Sequence, residues 1–160
     1  MQRYVLGFCF DIEFKQLVII RKQRPEWQRG LINVPGGKIE PGESDAEAIS
    51  REFKEETGEI IGPLRWDRFA LMHEEGLEPA WEVVCFRALD SDLMKRIGAR
   101  APFIMTGEEE IDVINRSDIH GIEMRKKTIP NLQWLTELAC DWHPGRSHGG
   151  AVVTYPKDSQ

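Results

Sequence analysis

Residues 37–59 read GKIEPGESDAEAISREFKEETGE, and the fold turns on how this stretch is read. It holds a helix punctuated at both ends. Ser44 and Glu47 form an S-x-x-E capping box, in which each side chain satisfies the other residue's backbone N–H. Asp45 adds negative charge to the first turn, and Gly58 follows the last turn as a left-handed stop. Ala46, Ile49, Phe53 and Thr57 recur at helical spacing and mark the face that turns to a core. Glu52, Glu55 and Glu56 fall within about 100° of one another on the helical wheel. Carboxylates at i, i+3 and i+4 repel by roughly a few tenths of a kcal/mol per pair. They also lie near the helix C-terminus, where the macrodipole disfavours negative charge. Positions 40–59 carry eight acidic residues against only Arg51 and Lys54. Such a stripe is most often a solvated acidic face. Two details point elsewhere. The stripe lies beside the apolar face and so leans towards the body of the protein. It also follows Gly36-Gly37, a turn whose backbone offers carbonyl oxygen to the same place. Clustered oxygen ligands with few cations suit Mg²⁺ or Mn²⁺.

Outward from the helix, Tyr4 to Phe10 and Leu17 to Ile20 are short apolar runs joined by the polar turn 11–15, a predicted hairpin. Arg21 to Arg29 is basic and broken by Pro25, a loop, and Leu31 to Val34 leads into Pro35-Gly36-Gly37. Ile60 to Met72 and Trp81 to Leu89 read as two strands around an acidic turn. A loop rich in Gly, Ala and Arg is expected over Ser91 to Met105, then a strand at Ile111 to Ile114. Asn131 to Cys140 reads as a second helix, with Leu132, Leu135, Leu138 and Ala139 at helical spacing after Pro130. From Pro144 the chain is Gly-rich and loosely specified. The order strands, helix, strands, helix predicts an α/β (α+β) fold with a mixed sheet between helices. The expected organisation is one domain over 1–143 and a C-terminal tail over 144–160.

One hundred and sixty residues at 18.4 kDa suit a single core. The chain is 41% hydrophobic and 30% charged, which argues against disorder. Its net charge of -6 argues against a nucleic-acid-coating or membrane-surface role, since both favour excess positive charge. No apolar run approaches the roughly 20 residues of a membrane span. No signal-peptide pattern opens the chain, and Cys9, Cys85 and Cys140 form no Cys-x-x-Cys clip, so a reducing cytoplasm is expected.

Gly37, Glu43, then Arg51-Glu52-Phe53-Lys54-Glu55-Glu56-Thr57-Gly58 resembles the Nudix box, G-x5-E-x7-R-E-U-x-E-E-x-G-U. All seven fixed letters stand at the right spacing, a match that chance produces roughly once in a million or less at average residue usage. Glu59 departs from the pattern, which has an apolar residue there; Ile60 or Ile61 would take that role. The resemblance implies a Nudix-type α/β/α sandwich that cleaves a nucleoside diphosphate linked to another group, using water and Mg²⁺, with Mn²⁺ as the alternative ion. By resemblance, Glu52, Glu55, Glu56 and the Gly37 carbonyl would hold the metal, and Glu43 would pair with Arg51 to fix the loop against the helix. Family members differ in their general base, which leaves Glu55 in the box or a glutamate on a later loop. In Glu108-Glu109-Glu110, Glu109 is placed slightly ahead of Glu110 as that base or extra ligand.

For the substrate phosphates, Arg21 at a strand end is the first choice, because guanidinium grips phosphate in bidentate fashion. Lys38, beside Gly37, is the second; Lys22 and Arg24 read more simply as solubilising a loop. Asn131 resembles the purine-binding Asn that opens the corresponding helix in MutT-type members, with a plain helix N-cap as the competing reading. Trp27, Trp81 and Trp134 divide between base stacking and core, and the four histidines show no ligand spacing. The expectation is a MutT-like pyrophosphohydrolase acting on a nucleoside triphosphate, with an oxidised purine deoxynucleotide as one candidate, in a monomer or homodimer. The alternatives are ADP-ribose, a dinucleoside polyphosphate or an RNA 5′ end as substrate, or a ligand sensor. A sensor would be expected to lose a box glutamate, and this chain keeps them all.

Overall fold

The computed structural model describes residues 1–76, 78–105, 109–144 and 150–157. Strand β1 (Gln2–Phe10) turns back into β2 (Gln16–Arg21), and Asp11 closes the turn by accepting the Lys15 and Gln16 N–H groups at 2.8 and 2.7 Å. The two strands pair only at Phe10↔Leu17 and then fork. Beyond the fork, β2 pairs with β3 (Ile32–Asn33) and β7 (Glu110–Asn115), while β1 pairs with β4 (Gly36–Lys38) and runs parallel to β6 (Trp81–Leu89). β5 (Asp67–Glu74) lies antiparallel to β6.

The run Leu17-Val18-Ile19-Ile20 has no polar alternation because both faces of the sheet are covered. Val18 and Ile20 pack towards α1 (Asp45–Thr57), with Ile49 and Phe53, and towards α2 (Ser91–Arg100). Leu17 and Ile19 belong to a second core with Leu132, Leu135 and Ala139 of α4 (Leu132–Asp141), which follows the short α3 (Ile122–Arg125). Helices thus flank a mixed sheet on both sides, as the element order predicted.

Three elements differ from the sequence reading. Ser91–Arg100, expected as loop, is helical. Asp90 caps it by accepting the Leu93 N–H at 2.9 Å, and Leu93, Met94 and Ile97 are buried. Its interior Gly98 carries low helix propensity, and its apolar face of three residues is too short to stand out before tertiary packing stabilises it. β5 begins at Asp67 and not at Ile60, because Pro63–Arg65 forms a 3-10 turn first. Within the stretch read as a loosely specified tail, Ala151–Tyr155 forms β8, a parallel edge strand on β5, from Ala70↔Ala151 to Glu74↔Tyr155. Tyr155 meets the Trp81 ring at 5.6 Å, which ties this strand to the body.

Candidate active site

Helix α1 presents its glutamates from a fixed orientation because both its ends are pinned. Ser44 Oγ accepts the Glu47 N–H at 3.3 Å, Glu47 accepts the Ser44 N–H at 2.8 Å, and Gly58 ends the helix at φ 77°. Arg51 grips both oxygens of Glu43, at 2.8 and 3.0 Å, and donates to the Lys38 carbonyl at 3.0 Å. The loop after β4 is therefore strapped to the helix by the Glu43–Arg51 pair, as the resemblance implied. Because Arg51 donates to it, Glu43 is held below the ordinary carboxylate range.

The β4 glycines meet the helix directly. A methyl on Gly37 would overlap the Glu52 carboxylate, which would have to swing away, whereas one on Gly36 would strike the Val5 carbonyl, so the backbone approach requires glycine at Gly36. Glu52 also accepts from Arg51 at 2.7 Å, and burial raises its pKa above the usual value. Glu56 accepts the Gly36 N–H at 3.0 Å. Burial, and then the Glu109 carboxylate against it, push Glu56 up to about 9. Glu109 arrives from the chain just before β7 and takes Lys22 Nζ at 2.9 Å. Glu55 is more exposed, with Arg51 at 3.4 Å.

Gly36, Gly37 and Lys22 face two ways. Besides touching the carboxylates, they line a cavity of about 410 Å³ that opens where β1 and β2 fork. Its walls are Tyr4 and Leu6 of β1, Ile20 of β2, Asn33 and Val34, Met72 and Val83, and Trp27, Pro130, Leu132 and Leu135 close the far side. The acidic cluster and the cavity are thus adjacent rooms separated by glycine backbone. Asn131 lines this cavity at φ 85°, makes no side-chain capping bond, and accepts the Trp134 Nε1–H at 3.1 Å. Trp27 is 74% exposed at the cavity, whereas Trp81 lies against Tyr155 in the body.

The other two phosphate candidates lie outside the cavity lining. Arg21 points to the opposite side of β2 and is engaged by Glu110 at 3.0 Å and Asp112 at 3.1 Å. Lys38 is exposed on a shallow surface beside Arg3 and Glu40. Lys22, read as a loop solubiliser, is the cation that faces both the cavity and Glu109. Alternation separates Ile20 and Lys22 from Arg21, but which of the two faces borders the cavity follows only from the fork between β1 and β2. On β1 the same alternation puts Tyr4 and Leu6 on one face, and the fork again decides that they reach the cavity. Glu108 and His148 lie outside the described residues.

Among the described residues, no three His, Cys, Asp or Glu side chains form a ready-made metal cage. The donor chemistry nevertheless suits a hard divalent ion. Two half-buried carboxylates in contact, Glu56 and Glu109, favour a proton or a cation between them, and the remaining donors nearby are carboxylate and backbone oxygen.

A strand-forked mixed sheet between helices, with an acidic helix face against the glycines of β4, defines the class. The chain belongs to the Nudix hydrolase family: the NUDIX domain model matches residues 2–112. It is 34% identical over 85 residues to human 8-oxo-dGDP phosphatase NUDT18, and 38% identical over 61 residues to the mouse protein of that name. Those matches take in 53% and 38% of this chain but only 24% and 19% of the relatives, so the chain spans a quarter or less of their length. Among solved structures, a MutT protein from Bacillus halodurans superposes with a TM-score of 0.60 at 19% identity, covering 100% of this chain and 94% of that one. A MutT from work on Aliivibrio salmonicida and Vibrio cholerae gives 0.59 at 19% identity, covering 88% and 98%. At such identity these likenesses show the fold alone. No helix among the described residues is long and apolar enough to cross a membrane.

Proposed function

We propose that the protein is a metal-dependent pyrophosphohydrolase that cleaves a nucleoside triphosphate to the monophosphate and pyrophosphate, with an oxidised purine deoxynucleotide as the leading candidate. The observation that carries this reading is the glycine wall. Gly36 and Gly37 contact Glu56 and Glu52 on one side and line the cavity on the other, so a base seated in the cavity would leave its phosphates at the carboxylates. Glu52, Glu55, Glu56 and the Gly37 carbonyl would hold Mg²⁺ or Mn²⁺, which when bound neutralises phosphate charge and lowers the pKa of water. Lys22 stands where a phosphate oxygen would pass and can exchange Glu109 for it. Lys38 and Arg21 are outer candidates, Arg21 only after leaving its two carboxylates. Glu109 would take the proton of the attacking water, with Glu55 as the alternative base. Asn131 offers an amide donor and acceptor to a purine edge. A second reading has a specific support: the human relative is named for 8-oxo-dGDP, which favours a nucleoside diphosphate cleaved to monophosphate and phosphate.

The test is product release across nucleoside di- and triphosphates and their 8-oxo forms, with Mg²⁺, with Mn²⁺ and with chelator, for the wild-type chain and Glu56→Gln. Metal-dependent pyrophosphate from triphosphates, abolished in Glu56→Gln, is expected. Phosphate from diphosphates alone would establish the second reading. No turnover of any nucleotide with metal would overturn both.

A further inference from the structure

The last carbonyls of a helix have no partner inside it. At the end of α1, Thr57 O accepts from Arg100 at 2.9 Å, and the same guanidinium reaches Glu59 at 3.5 Å. Its carbon lies 4.4 Å from the centre of the Phe103 ring, and its other nitrogen faces Met105 Sδ at 3.8 Å. Met105 in turn packs on Gly58, where an added Cβ would lie 2.9 Å from the Met105 methyl. Phe103 and Ile111 exchange both backbone hydrogen bonds, at 3.1 and 2.7 Å, and Ile111 continues into β7 opposite Ile20. The chain bracketed by this neck carries Glu109, and Glu109 meets Glu56 on α1. One side chain from α2 therefore joins the end of the helix that bears the box glutamates to the neck of the segment that bears Glu109.

We infer that Arg100 is a positioning residue whose guanidinium clamps the Phe103–Ile111 neck to the C-terminus of α1 and so sets Glu109 against Glu56. The inference rests on the reading of Glu109 as part of the hydrolytic site. A planar fork is needed, because the group must donate to a carbonyl edge-on while its face covers a ring; an ammonium supplies the charge but not the plane. Arg96 also pairs with Glu59, at 3.1 Å, but touches neither Thr57 O nor Phe103 in the bonds described, and it serves as the control.

The experiment compares Arg100→Gln, Arg100→Lys and Arg96→Gln, each alone and combined with Glu109→Gln. Expected is a fall in kcat of about 10-fold or more for Arg100→Gln with KM held within about twofold, since a small misplacement of a reacting group costs this much. Arg100→Lys should fall with it while keeping the wild-type Tm, and Arg96→Gln should stay at the wild-type rate. In the Glu109→Gln background Arg100→Gln should cause no further loss, because the group being placed has gone. Equal proportional losses in both backgrounds, or full rescue by lysine, would reduce Arg100 to a plain helix cap and overturn the inference. Hydrogen exchange on the metal-free protein gives a readout independent of turnover. The Phe103 and Ile111 amides should exchange faster in Arg100→Gln than in Arg96→Gln, and unchanged exchange would also overturn the clamp. A wild-type chain inactive on every nucleotide fails at the hydrolytic reading instead, with exchange still deciding whether the clamp exists.

Discussion

Gly37 shows why a single missing methyl group matters. Gly37→Ala should weaken Mn²⁺ binding and cost about 1 kcal/mol, the net worth of one hydrogen bond, because the Glu52 carboxylate would have to swing away from Arg51. Calorimetric titration that returned wild-type Mn²⁺ affinity would place the ion elsewhere. Glu43 is a structural carboxylate and titrates accordingly. Its folded pKa lies below the ordinary value of 4.5, so its contribution is complete above that value and is lost as pH falls through the folded pKa. Glu43→Gln should therefore be less stable at neutral pH and should lose less stability than wild type between about pH 6 and pH 3. Parallel acid limbs in denaturant titrations of the two proteins would contradict this. Most of this chemistry was legible residue by residue, since the box spacing named Gly37, Glu43, Arg51 and the three helix glutamates. Which neighbour each would meet was less so: Glu109 was visible as one of a run of acids, but its contact with Glu56 joins residues 53 positions apart in sequence.

At the scale of elements, helix α1 announced itself through its caps, whereas α2 did not. Its apolar face is only Leu93, Met94 and Ile97, and its stability comes from packing against the same core as Val18 and Ile20. Asp90 is the local signal that was available. It accepts the Leu93 N–H and also takes Arg65 at 3.0 Å. Asp90→Ala should destabilise the protein by about 1 kcal/mol, read from urea unfolding; an unchanged midpoint would mean that α2 needs no cap. β8 escaped notice for a related reason. Its burial alternates weakly, with Val152 62% exposed, so the segment acquires its identity from β5 rather than from its own pattern.

The cavity exists only in the whole molecule. It needs β1 and β2 to part after one residue pair, so that β4 can line β1 and α4 can close the gap from the far end of the chain. Asn131 reaches it through a left-handed backbone, which makes Asn131→Gly the cleaner variant, since glycine adopts φ 85° without strain. That variant should lose purine over pyrimidine preference by about one bidentate contact's worth, roughly 1–3 kcal/mol, with its metal requirement intact. Side-by-side kcat/KM values for purine and pyrimidine nucleotides decide this. An unaltered ratio would leave Asn131 as the residue that orients Trp134.

What the sequence by itself determined is the local and periodic content: a capped amphipathic helix, its stripe of glutamates, the glycine pair before it, short apolar strands, and the family to which that spacing belongs. These depend on interactions within a few residues, where spacing and geometry are equivalent. Only the tertiary structure decided that Lys22 rather than Arg21 faces the cavity, that Glu109 closes on Glu56, and that Arg100 spans two distant segments. Each of those depends on the fork between β1 and β2 and on strand register, where a shift of one residue sends every side chain to the other face.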